Sequence, residues 1–238
     1  MTILTVYPNP DPETTSCDGD VRRVSSTSWA DARTGSTGNT AAASSTILSV
    51  KTQFATDPSQ WLINRAFILF DTSALGAGVI ISSAVLSLAG DGNAVTDTDT
   101  DTLHVVSATP ASNTDLVSAD FVEVGSTSFA SKALASWVAT AGTYNDFTLN
   151  ASGIANISLT GISKFALRMA TDLNNSTPTG LNDIRIRASE IADTTSDPKL
   201  VITYTTSAIK TFNGVAMASV KTINGVAMAS IKTWNGVA

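Results

Sequence analysis

The stretch Ile63–Ala89, INRAFILFDTSALGAGVIISSAVLSLA, decides how the rest of the chain is read. It holds two apolar runs, Ala66–Phe70 and Ala84–Ala89, joined by a connection containing Gly and Ser. Both runs are short and bounded by turn-forming residues, which predicts strands rather than helices. In the second run Val85, Ser87 and Ala89 alternate with Ala84, Leu86 and Leu88, giving one mixed and one apolar face. In the first, Phe67 and Leu69 alternate with Ala66, Ile68 and Phe70, so that strand is apolar on both sides and is read as central. Two such strands cannot hide their apolar faces alone, so a second sheet is expected to cover them.

The flanking sequence repeats this rhythm. Strands are expected at Asp20–Val24, Thr46–Phe54, Leu103–Ala108, Ala119–Val124, Tyr144–Asn150, Lys164–Ala170, Asp183–Ala188 and Leu200–Tyr204. The clearest is Lys164–Ala170, where Phe165, Leu167 and Met169 alternate with Ala166, Arg168 and Ala170. Residues 55–64 read as a loop carrying Asp57, Pro58 and Trp61, and Ser128–Thr140 fits a short helical turn or a strand. Pro8, Pro10 and Pro12 exclude helix or central strand after the short ILTVY run. Short strands with turn signals between them, and no βαβ rhythm, predict an all-β fold: an antiparallel β-sandwich of jelly-roll type. The expected divisions are an extended arm at 1–17, the sandwich at 18–205 and a tail at 206–238.

Composition narrows the function. Only 14% of the residues are charged and the formal net charge is −6, so the surface is polar mainly through Ser, Thr and Asn. An acidic chain argues against nucleic acid, whose phosphates require clustered Lys and Arg. No run approaches a membrane span, and membrane insertion is not expected. The N-terminus lacks a basic region followed by a long apolar one, so no secretory signal is read there. The single Cys17 cannot form an internal disulfide and reads as an inert thiol.

Catalytic signatures are sparse. His104 is the only histidine and falls inside a predicted strand, where a structural role is expected. No metalloprotease helix motif, nucleophile elbow or phosphate-binding glycine loop is present, so an enzyme is not expected. Asp97, Asp99 and Asp101 alternate with Thr in an acidic loop, which reads either as a solvated loop or as a calcium site. Asp18 and Asp20 make a similar, weaker case for calcium, and no other cofactor is expected. Trp29 and Trp61 lie in polar segments and are the candidate sugar-stacking platforms, although Trp61 reads more readily as core or a loop anchor; Trp137 reads as core.

The order of several segments carries a family resemblance. RAFILFDTSAL at 65–75 is followed by IISSAVLSL, TLHVVSATPASNTDL, ADF, F-x-LN, KFALRMATD, DIRIRASE and DPKLVITY. Together these resemble the DNRLRE, or disaggregatase-related, β-sandwich domain over residues 18–205, a domain similar to carbohydrate-binding modules. The resemblance implies a jelly-roll sandwich and contact with polysaccharide, and it does not imply catalysis.

Beyond Thr206 the chain changes character. SAIKTFNGVAMA, SVKTINGVAMA and SIKTWNGVA repeat at a period of eleven, with Lys210, Lys221 and Lys232 in register. Each copy places Asn-Gly between β-prone residues, a strong tight-turn signal. Phe212, Ile223 and Trp234 occupy equivalent positions and are the expected assembly interface. These units resemble K-x-x-NGVA repeats at the C-termini of phage structural proteins. The expected function is a non-enzymatic virion structural protein of the phage head-decoration or tail-fibre type. Such a protein is made in the host cytoplasm, sits on the virion surface, and binds other virion proteins or copies of itself, a trimer included. The alternative is a carbohydrate-binding module of a bacterial cell-surface or secreted adhesin.

Overall fold

A computed structural model describes residues 1–206 in full, together with the backbone of four two-residue strands within the C-terminal repeats. The first 206 residues hold thirteen strands: β1 (Thr2–Val6), β2 (Asp18–Ser25), β3 (Thr40–Ala42), β4 (Ile47–Thr56), β5 (Ser59–Asp71), β6 (Val79–Ala89) and β7 (Thr96–Asp97), then β8 (Thr102–Ser107), β9 (Ala130–Ala133), β10 (Tyr144–Thr148), β11 (Ile162–Met169), β12 (Leu181–Arg187) and β13 (Lys199–Thr206). Three short helices interrupt them: α1 (Trp29–Thr34), α2 (Ala151–Ala155) and α3 (Ala170–Leu173). The smaller sheet runs β1-β13-β6-β10, and the larger follows β7-β12-β4-β5-β11-β8-β9 with β2 and β3 attached through β5. Every paired strand in both sheets is antiparallel. The expected all-β sandwich is the architecture observed.

The deciding stretch divides between the sheets: β5 lies at the centre of the large one and β6 inside the small one. The inward residues Ala66, Ile68 and Phe70 of β5 meet Ala84, Leu86 and Leu88 of β6 in one core, joined by Phe165, Leu167, Leu200 and Ile202. The opposite face of β5 explains its second apolar row. There Ile63, Phe67 and Leu69 pack under Trp29 and Ala32 of α1, with Leu116 and Phe121 from the β8–β9 connection. The molecule therefore has three layers, because a strand apolar on both faces needs a cover on each.

Along β5, residues 61–64 pair with β2 and β4, and residues 66–68 with β2 and β11. A strand has two edges, so β4 and β11 follow one another along one edge while β2 runs along the other. Between β5 and α1, a buried ionic knot closes the outer layer. Asp172 receives both Arg65 (2.7 and 2.8 Å) and Arg168 (2.8 and 2.9 Å) in forked pairs. The Arg65 guanidinium also lies 4.1 Å above the Phe121 ring and donates to the Phe121 carbonyl. Arg33 of α1 donates to the Asp172 carbonyl at 2.7 Å.

Several expectations require correction. Residues 55–64 are not a loop: β4 and β5 form a tight hairpin in which Thr56 faces Ser59, and Trp61 is a strand residue opposite Phe54. Ala119–Val124 is not a strand; Ser118–Val122 is a 3-10 turn in which the Asp120 carboxylate accepts from the Val117 and Ala111 amides. In the N-terminal segment, Thr2–Val6 is a sheet strand, pairing with β13 from Thr2–Tyr204 to Val6–Leu200. In the repeats, Phe212 pairs with Val215 and Ile223 with Val226, the registers of two-residue hairpins that Asn-Gly predicts. Among the described residues, no helix is long and apolar enough to cross a membrane.

Candidate functional site

The two candidate tryptophans have different fates. Ser28 caps α1 by accepting from the Asp31 amide at 3.0 Å, and the helix then presents Trp29 and Ala32 to the outer core. At 6% exposure Trp29 offers no stacking face, and that expectation is overturned. Trp61 is half-buried beside Phe54, with ring centroids 5.1 Å apart on the β4–β5 hairpin. Its indole nitrogen is buried without a partner. Trp137 belongs to the core against Phe147.

The acidic series 97–101 is consumed by the protein itself. Asp101 is buried and accepts from the Thr171 hydroxyl and amide at 2.6 and 3.2 Å and from the Thr102 amide at 2.8 Å. Asp97 accepts from the Asp101 amide, while Asp99 accepts from the Thr179 amide and from the Asn182 side-chain amide. Three carboxylates close in sequence thus serve three sets of donors. Among the described residues, no three His, Cys, Asp or Glu side chains converge in a ready metal cluster. Asp20 is likewise used internally, accepting from the Ser49 amide.

His104 sits on β8 with its Nδ1 2.8 Å from the Ser128 hydroxyl, which also reaches the Ala130 carbonyl. Burial lowers the His104 pKa, and its one hydrogen-bonding side chain is Ser128 rather than an acid. Cys17 is fully buried in the outer core, where burial and then Asp18 push its thiol up to about 12. A thiol so far from ionisation is not a nucleophile at neutral pH. Of the expected assembly residues, Phe212 and Ile223 lie on backbone-described strands, and Trp234 lies outside the described residues.

The most distinctive polar site was not singled out as a unit. It is an open cavity of about 630 Å³ at one end of the sandwich, walled by the stretch after β1, the turn after β5 and the β12–β13 connection. Asn9 organises the first wall: its side-chain oxygen accepts from the Thr15 amide at 2.9 Å and hydroxyl at 2.6 Å and from the Ser16 amide at 3.2 Å. This folds the proline-containing segment back, and the Asn9 amide donates to the Ser16 carbonyl at 3.0 Å. The chain then enters β2 at Asp18, whose carboxylate accepts from the Ser189 hydroxyl at 2.7 Å and amide at 3.1 Å.

The electrostatics here are one-sided. Asp18 is fully buried, and burial followed by the nearby Glu190 raises its pKa well above the usual carboxylate range. Burial, reinforced by Glu13 and Asp11, pushes Glu190 to about 7. Burial and Asp193 push Asp197 to about 6. Glu13 Oε1, Glu190 Oε2 and Asp197 Oδ1 are buried without hydrogen-bond partners. Arg187 is directed to Ser196. The side chains gathered here are therefore rich in oxygen acceptors and poor in donors. Sequence spacing offered Asp18 beside Asp20 as a weak calcium candidate but not its partners here, because Asp18 and Ser189 are 171 residues apart. No family model matches the chain, and no curated protein matches it either.

Proposed function

We propose that the chain is a non-enzymatic virion structural protein of the phage head-decoration or tail-fibre type. In this reading a rigid DNRLRE-like sandwich is displayed, and the C-terminal repeats assemble or dock it. The observation that carries the proposal is the corner where β13 leaves the sandwich. β13 stays paired with β6 to its last residue, Thr206 opposite Val79, across a register shift at Thr203–Tyr204. Two exposed large apolar residues flank this exit, Ile3 opposite Thr203 and Ile80 opposite Thr205. An apolar corner on the strand that precedes the repeats in sequence supports a contact surface, and strands of two residues bury too little to stand alone. The polar, weakly charged surface and the engaged state of His104 and Cys17 fit the same reading.

The test is the solution mass of the full chain beside a truncation ending at Thr206, followed by its location in purified particles. The expected result is an oligomeric full chain, a monomeric truncation, and recovery with the particles. Two monomers, or recovery only with host envelopes, would overturn the proposal.

A second reading, a carbohydrate-binding module of a cell-surface or secreted adhesin, rests on the Phe54–Trp61 pair. Half-exposed aromatics paired across the β4–β5 hairpin present the kind of ledge on which a sugar ring stacks. It predicts polysaccharide affinity that Trp61→Ala removes, and an empty glycan panel would eliminate it.

A further inference from the structure

We propose that Asp18, Ser189, Glu190 and the Asn9 carbonyl bind one divalent cation of the calcium type, which ties the segment after β1 to the β12–β13 connection. The Ser189 hydroxyl has one proton to donate, yet its oxygen lies 2.7 Å from Asp18 Oδ1, 3.1 Å from the Asn9 carbonyl and 3.3 Å from Glu190 Oε1. One proton serves one of these contacts well, and the other two set lone pair against lone pair around a hydroxyl that is itself buried. Oxygens that ligate a common calcium ion at about 2.4 Å lie about 3 Å from one another, and the Ser189 hydroxyl keeps that spacing to each of the other three.

A second observation points to the same missing partner. Asp197 is 2% exposed, lines the same cavity and has an oxygen without any hydrogen-bond partner. Unsatisfied acceptors in a buried site each carry a desolvation cost, and one hard cation relieves several of them together.

The donor set selects the ion. Two carboxylates balance a charge of two, and a main-chain carbonyl and a hydroxyl are neutral oxygen ligands that calcium accepts with water completing its shell. Magnesium demands a tighter octahedron and releases water reluctantly, so it should bind more weakly. Only two carboxylates belong to the set, in keeping with the absence of a three-carboxylate cluster among the described residues. This site is distinct from the 97–101 series, whose carboxylates already have protein donors.

The experiment uses the full chain, stripped with a chelator and titrated with calcium chloride at neutral pH by calorimetry and thermal melting. One calcium per chain and a rise in Tm are expected. Terbium offers a local readout, because Tyr7 lines the cavity and can sensitise its emission. Calcium should displace terbium. Glu190→Gln should weaken calcium binding at least about tenfold, since even outer-shell changes cost that much at metal sites. Its Tm in chelator should stay at the parent value, showing that the fold is intact. Asp99→Asn should bind as the parent does. No calcium-dependent heat and no Tm shift would overturn the proposal, as would binding that survives Glu190→Gln. Loss of binding in Asp99→Asn would place the ion in the 97–101 series and overturn it equally.

Discussion

Two aspartates are hidden almost equally from water, Asp172 at 1% exposure and Asp18 at 0%, yet their surroundings are opposite. Asp172 lies between two arginine forks. Burial alone would raise its carboxyl, but Arg65 and Arg168 outweigh that and hold it down to about 2. Asp18 has only the amide and hydroxyl of Ser189 as donors, with Glu190 nearby, and its pKa moves up. The difference teaches that burial sets the cost of a charge, while the donors brought to it decide whether the charge survives.

The largest effect should come from breaking the knot. Asp172→Asn leaves two buried guanidinium groups without their counter-charge and should cost about 3–5 kcal/mol. A urea titration would read this as a fall in midpoint at an unchanged slope. Next comes the lid over that knot. Trp29→Ala empties a buried site under α1 and should cost about 3 kcal/mol or more, measured in the same way. A loss of sugar affinity without a loss of stability would instead restore Trp29 as a stacking platform.

The same Asp-to-Asn change at position 18 sharpens the comparison. In chelator, Asp18→Asn removes a charge from an already acidic site, so stability should stay within about 1 kcal/mol of the parent or rise. A loss as large as that of Asp172→Asn would erase the distinction between the two regions.

The smallest effect is a pair of opposed slopes in metal-free buffer. Asp172, depressed in the folded state, contributes stability that is present above the ordinary carboxylate range and is lost as pH falls through about 4 toward about 2. Asp197, raised to about 6 by burial and Asp193, has the reverse sign. Its contribution is complete below the ordinary range and is lost as pH rises through about 4 to about 6. A Tm-versus-pH profile should therefore rise and then fall, with Asp197→Asn making the second limb shallower, since Asp18 and Glu190 remain raised, and leaving the first unchanged. Flattening of the first limb by Asp197→Asn would show that the slopes have been assigned to the wrong groups.

What the sequence shows and hides follows from the range of the interactions. The alternation in Ala66–Phe70, Ala84–Ala89 and Lys164–Ala170 is local, and each proves to be a strand. The Asn-Gly signal is local too, and the registers across the first two repeats agree with it. Trp61 was misplaced because Asp57-Pro58 suggested a long break, whereas the chain reverses between Thr56 and Ser59. Trp29 was misplaced because Ser- and Thr-rich flanks conceal a helix start. The signal was Ser28 followed three residues later by Asp31, a capping pattern. The knot had no local signature, and of the acidic cavity only Asp18 was legible, paired with Asp20 rather than with Ser189. Arg65 and Asp172 are 107 residues apart, and Ser189 and Asn9 are 180 apart. Only the folded register brings these partners together.

The position of β13 between β1 and β6 has a mechanical consequence. A force entering through the repeats and resisted at the far end of the sandwich would run along β13 from Thr206 toward Lys199. It would load the hydrogen bonds to both flanking strands in shear, so that many must fail together, whereas peeling an edge strand breaks them one by one. A tail joined in this way transmits tension into the sandwich and does not unravel it from the end.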